Sequence, residues 1–93
     1  MIKSFANRAC EEFFITGKSK KVTLGIERVA LRKLDYLNCA INLDDLKIPP
    51  ANRLEKLRGD LDGFYSIRIN KQYRIVFKFL NSNAYEVDIV DYH

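Results

Sequence analysis

Histidine occurs once in this sequence, at position 93, and cysteine twice, at Cys10 and Cys39. No C-x-x-C spacing is present, so a zinc site of the usual kind lacks its ligands. No metal and no cofactor is expected. The cysteines read as small, partly buried apolar residues on helices, in a reducing cytoplasm. Four glycines and two prolines are too few for a linker-rich or collagenous chain, and no segment is compositionally simple. Apolar runs such as Ile75-Val76-Phe77 fall far below the ~20 residues that span a bilayer. The start "MIKSFANRAC" has no apolar stretch of signal-peptide type. Gly-rich phosphate loops and serine–histidine–aspartate arrangements are absent too. A membrane role is not expected. With 93 residues the chain has material for one modest core, so one domain over 1–93 is expected.

What is present is a mild basic excess, 16 Lys plus Arg against 12 Asp plus Glu. Its placement says more than its size. Lys18, Lys20 and Lys21 form one basic loop, while Arg53, Lys56, Arg58, Arg68, Lys71 and Arg74 crowd the second half. Such clustering suits an anionic partner.

The residue pattern divides the chain. "IKSF" reads as a short first strand. Residues 7–16 read as a helix capped by Asn7 and stopped by Gly17, with Cys10, Phe13 and Phe14 inward. Thr23 reads as the cap of a second helix running to about Asn42, with Ile26, Ala30, Leu34, Leu37 and Ile41 at spacings of three and four. Pro49 and Pro50 then force an extended path. Three alternating stretches follow, 63–70, 72–79 and 84–90, as an antiparallel meander. The fold class expected is α+β, with two helices packed on an antiparallel sheet.

Alternation also sets a register. Pairing Ile69 with Tyr73 puts Arg68 opposite Arg74. Pairing Phe79 with Tyr85 puts Val87 opposite Phe77, Ile89 opposite Ile75, Val90 opposite Arg74 and Asp91 opposite Tyr73. The tail Asp91-Tyr92-His93 then leaves the sheet beside two arginines. Facing arginines repel unless an anion lies between them. Two readings stay open at this point. The carboxylates of Glu86, Asp88 and Asp91 can neutralise the pair as a surface ion lattice. Alternatively the guanidinium forks clamp a phosphate, with the imidazole of His93 and the phenol of Tyr92 nearby to move protons. Metal-free RNA cleavage needs such a set: a base for the 2′-hydroxyl, cations at the scissile phosphate, and an acid for the 5′ oxygen.

The segment "LEKLRGDLDGFYSIRINKQYRIVFKF", the closing "DYH" and the opening "MIKSF" resemble the HigB branch of the RelE/YoeB toxin superfamily, over essentially the whole chain. The resemblance implies a RelE-like fold and a toxin of a bacterial toxin–antitoxin module, acting as a ribosome-dependent, metal-independent mRNA endoribonuclease in the cytoplasm. It implies as partners a HigA-like helix-turn-helix antitoxin, the 70S ribosome with its mRNA, and operator DNA reached through the antitoxin. By the same resemblance Arg74 matches an arginine at the scissile phosphate, and His93, Tyr92 and Asp91 match a C-terminal catalytic group. Arg58 matches a basic residue near the phosphate. Arg68, from its place opposite Arg74, and Lys56 are further candidate phosphate contacts. Glu55 stands where some HigB-like members have histidine and YoeB-like members have glutamate. The working assignment is Glu55 as base and His93 as acid; the rival makes His93 the base and leaves Glu55 to pair with Arg58 or Lys56. A different class of function also stays open: a non-catalytic RelE-fold module that acts with its antitoxin in operon repression.

Overall fold

The structure is a computed structural model, and it describes residues 1–18 and 25–91. Two helices, α1 (Arg8–Thr16) and α2 (Glu27–Cys39), precede four strands. The strands are β1 (Glu55–Lys56), β2 (Tyr65–Arg68), β3 (Tyr73–Leu80) and β4 (Asn83–Asp91). They form one antiparallel sheet in the order β1-β2-β3-β4. The expected α+β arrangement of two helices on an antiparallel sheet is what is found.

Both ends of α1 follow from local chemistry. Asn7 is extended and its Oδ1 accepts the N–H of Cys10 at 2.9 Å; Gly17, at φ 76, closes the helix by donating to the Phe13 carbonyl at 2.7 Å. Asp88 of β4 anchors the same end: its Oδ1 accepts from Asn7 Nδ2 and from Cys10 Sγ, each at 3.1 Å.

Helix α2 is shorter than its apolar period suggests. Thr23, expected as its cap, lies outside the described residues. At the other end the backbone turns extended at Ala40, and Asn42 starts a new 3-10 turn, Leu43–Lys47, through a reciprocal capping box with Asp45. A capping asparagine thus competes with helix continuation and wins. Ala40, not Ile41, therefore enters the core; Ile41 is 70% exposed. Cys39 is exposed as well, against the expectation of partial burial.

The expected first strand is only two isolated bridges, Ile2 with Ala84 and Phe5 with Val87, both parallel to β4. Between them β4 carries a bulge, where Glu86 takes φ 52 and its N–H donates to Ser4 Oγ. The bulge corrects two expected pairings, Phe77 with Val87 and Phe79 with Tyr85. Up to Val76–Asp88 the register is as expected, with Arg68–Arg74, Arg74–Val90, Ile75–Ile89 and Tyr73–Asp91 all paired. Beyond it Phe79 pairs with Ala84, not Tyr85. Ala84 thus turns inward and is fully buried, while Tyr85 is only half-buried.

The core lies between the helices and one sheet face. Phe13, Ala30, Leu34 and Leu37 meet Ile67, Ile75, Phe77 and Val87, none more than 1% exposed. Each large side chain among them contributes roughly 1.5–3 kcal/mol relative to exposure. The opposite face is not simply solvated. Val76 is buried there, in a hollow of about 210 Å³ that it shares with Leu61, Phe64 and Val90. Ser66 and Arg74 are buried on that face also.

Candidate active site

A cleft of about 230 Å³ opens at the end of the sheet where the β2–β3 turn sits. Arg53, Glu55, Arg68, Asn70, Lys71 and Arg74 line it. Register explains the placement of four of these. Arg68 and Arg74 are directly opposite across β2 and β3, and the turn 70–72 joins the strands at that end. Asn70 shapes the turn by accepting from the N–H groups of Gln72 and Tyr73 on its Oδ1, at 2.8 and 2.7 Å. Lys71 is carried at its tip.

Arg74 is the buried centre of the site, 7% exposed. Its Nε donates to Ser66 Oγ at 2.7 Å; its Nη2 donates to the Arg53 carbonyl at 2.5 Å and approaches the Ser66 carbonyl at 3.4 Å. A guanidinium held on two sides has little rotational freedom left. Ser66, which strand alternation alone would leave as a polar spacer beside Arg68, is thus one of its anchors. Arg53 reaches its place by a left-handed residue, φ 45, after the 3-10 turn Pro50–Asn52. The chain then reverses into β1, where Glu55 pairs with Ser66 across the sheet edge. Glu55 Oε1 lies 3.9 Å from Arg74 Nη2, with the carboxylate side chain about half exposed. At that distance and exposure it is a loose pair.

Other expected residues stand elsewhere. Lys56 pairs with Tyr65 and alternates to the face away from Glu55. Arg58 is exposed and does not line the cleft. Asp91 is exposed at the sheet end, opposite Tyr73, and its Oδ2 accepts from Gln72 Nε2 at 3.0 Å. Arg68, by contrast, does line the cleft, and its Nε donates to the Asn70 carbonyl of its own turn at 3.0 Å. Tyr92 and His93 lie outside the described residues. Arg53 and Lys71 were missed as site residues. Lys71 could have been found, because the tip of a turn between two facing arginines must lie at their end of the sheet. Arg53 could not, because no residue type at 52–54 announces a left-handed turn.

Among the described residues the cleft sets four cations around one carboxylate, an arrangement suited to an oxyanion with several oxygens. A larger groove, about 570 Å³, runs past Lys78, Phe79, Leu80, Tyr85 and Glu86. Among the described residues the one cation lining it, Lys78, pairs with Glu86 at 3.0 Å, so it lacks convergent charge. Among the described residues no group of His, Cys, Asp and Glu side chains is arranged to hold a metal ion, and no helix is long and apolar enough to cross a membrane.

The arrangement of two helices on an antiparallel meander recurs in solved toxins. YoeB in the heterotetrameric YoeB–YefM toxin–antitoxin complex from Staphylococcus aureus superposes with a TM-score of 0.63, at 22% identity, covering 100% of this chain and 95% of that one. The YoeB dimer from the same organism gives 0.55 at 23% identity, covering 99% and 94%. These likenesses define the fold as RelE/YoeB-like. Sequence narrows it further. Residues 3–93 match the family described as the RelE-like toxin of type II toxin–antitoxin system HigB. Toxin HigB-1 of Vibrio cholerae is 40% identical over 85 residues, 90% of each chain. Endoribonuclease HigB of Proteus vulgaris is 32% identical over 94 residues, spanning 100% of both. The chain belongs to the HigB-like toxin family.

Proposed function

We propose that this chain, folded as one domain over 1–93, is a cytoplasmic endoribonuclease that cuts ribosome-bound mRNA without a metal and so blocks translation. The observation that carries the reading is the buried, doubly anchored Arg74 facing a cleft with Arg53, Arg68 and Lys71. Its activity is named in a relative, Endoribonuclease HigB.

In this reading the scissile phosphate sits against Arg74, with Arg68, Lys71 and Arg53 spreading the charge that builds on its oxygens. A base removes the 2′-hydroxyl proton, the 2′ oxygen bonds to phosphorus, and the bond to the 5′ oxygen breaks as an acid protonates it. The products are a 2′,3′-cyclic phosphate and a 5′ hydroxyl. Glu55 is the base and His93 the acid, with Tyr92 and Asp91 completing the group; Arg58 and Lys56, outside the cleft, contact phosphates further along the strand. The competing assignment keeps Glu55 as a charge partner and makes His93 the base. The loose Glu55–Arg74 pair favours it to the extent that Glu55 already has a structural use. Glu55→Gln separates the two. Glu55 as base predicts a lower cleavage rate and loss of the acid-side limb of the pH–rate profile; an unchanged profile assigns the base to His93.

The partner in this reading is an antitoxin, as for the YoeB–YefM complexes of similar fold; a HigA-like helix-turn-helix protein would carry the toxin to operator DNA. Expression without the antitoxin tests the whole. Growth arrest is expected for the wild type and is lost in Arg74→Ala and in His93→Gln, each folded by circular dichroism. Arrest that survives both changes removes the catalytic assignment and leaves a binding module.

A further inference from the structure

A lysine is buried in α2 where an apolar residue would pack at lower cost. Lys33 is 4% exposed, and its Nζ donates to Oδ1 of Asn52, which is fully buried. The ammonium also lies 5.7 Å from the ring centroid of Tyr36. Burial first, then the charges of Arg32 and Arg68, pull the Lys33 pKa below its ordinary 10.5. Removing such a group from water is unfavourable unless its partners compensate.

Those partners lead to the cleft. The amide of Asn52 donates from Nδ2 to the carbonyls of Leu46 at 3.1 Å and Ile48 at 3.4 Å. One lysine–amide unit therefore ties α2 to both 3-10 turns of the segment 43–52. The next residue is Arg53, left-handed at φ 45, with its N–H on the Pro50 carbonyl at 3.1 Å. The Arg53 carbonyl is the one that Arg74 Nη2 donates to. A non-glycine residue stays in that conformation only when its surroundings hold it.

We propose that Lys33 is a positioning residue for Arg74: through Asn52 it holds the left-handed turn at Arg53, and with it the carbonyl that aims the Arg74 guanidinium into the cleft. The catalytic part of this rests on the reading of the cleft as the site of RNA cleavage; the structural part does not.

The test uses the full chain with Lys33→Met, which keeps the length of the stem and removes the ammonium. Asn52→Ala, which breaks the link while leaving the lysine, serves as the second variant if the first does not fold. Two readouts are taken below the unfolding temperature. The first is the Arg74 Nη2–H resonance by nitrogen-15 NMR, because Nη2 is the group that donates to the Arg53 carbonyl. The second is kcat and KM for mRNA cleavage on ribosomes. The expected result is a shifted, faster-exchanging Arg74 Nη2–H and a kcat lower by about 10-fold or more, with KM little changed. An Arg74 Nη2–H resonance identical to that of the wild type, or an unchanged kcat, overturns the proposal. If the wild type cuts no RNA, the cleavage reading fails by itself, and the NMR readout alone decides whether Lys33 positions Arg74.

Discussion

Arg74 shows what a single residue requires to be buried and still useful. Ser66 Oγ and the Arg53 carbonyl both accept from it. Lysine, with one point of charge, cannot reproduce that fork. Ser66→Ala leaves the buried Nε–H without its hydroxyl acceptor, which costs about 1–3 kcal/mol. Urea denaturation should record that loss, and cleavage should slow in the same variant. Equal stability in the two proteins would mean that Ser66 is the spacer its sequence position suggests. Alternation placed Arg68 and Arg74 opposite each other correctly. It could not reveal that Arg74 is buried, because its cover comes in part from Arg53 and Glu55, brought beside it from the sheet edge.

At the scale of elements, the meander was legible because its strands alternate and its turns carry asparagine. The misreading lay at one bulge. Tyr85, Val87 and Ile89 look like one face of an unbroken strand, and Glu86 carries no mark of a left-handed conformation. Ala84, small and unremarkable, is the true inward residue. The bulge makes a specific prediction. Glu86→Val, a change that strand propensity alone would favour, puts a β-branched residue at φ 52. It should destabilise the fold by about 1–2 kcal/mol through backbone strain. The exposed Lys78–Glu86 pair adds little to that. A midpoint in urea equal to or above that of the wild type would contradict the bulge. Helix α2 was overextended for a related reason: apolar spacing continues through Ile41, but the Asn42–Asp45 capping box starts a separate turn.

On the scale of the whole molecule, the sheet gathers residues from distant parts of the sequence at one end. Arg53 and Glu55 arrive from the edge strand and its approach, Arg68 and Arg74 from the centre, and Lys71 from the turn between them. The helices pack the core against the other face of the sheet, and Lys33 extends one of them into the site's support. The general plan was readable from periodicity and from the resemblance to HigB toxins. The cleft itself was only half readable, since its edge is built by backbone turns rather than by a motif.

The claim that this cleft cuts mRNA on the ribosome is tested most directly by primer extension on translating ribosomes incubated with the purified chain. The account predicts stops within the codon in the A site, present with the wild type and lost with Arg74→Ala. Full-length extension products with a correctly folded wild type, or equal stops with Arg74→Ala, would contradict it.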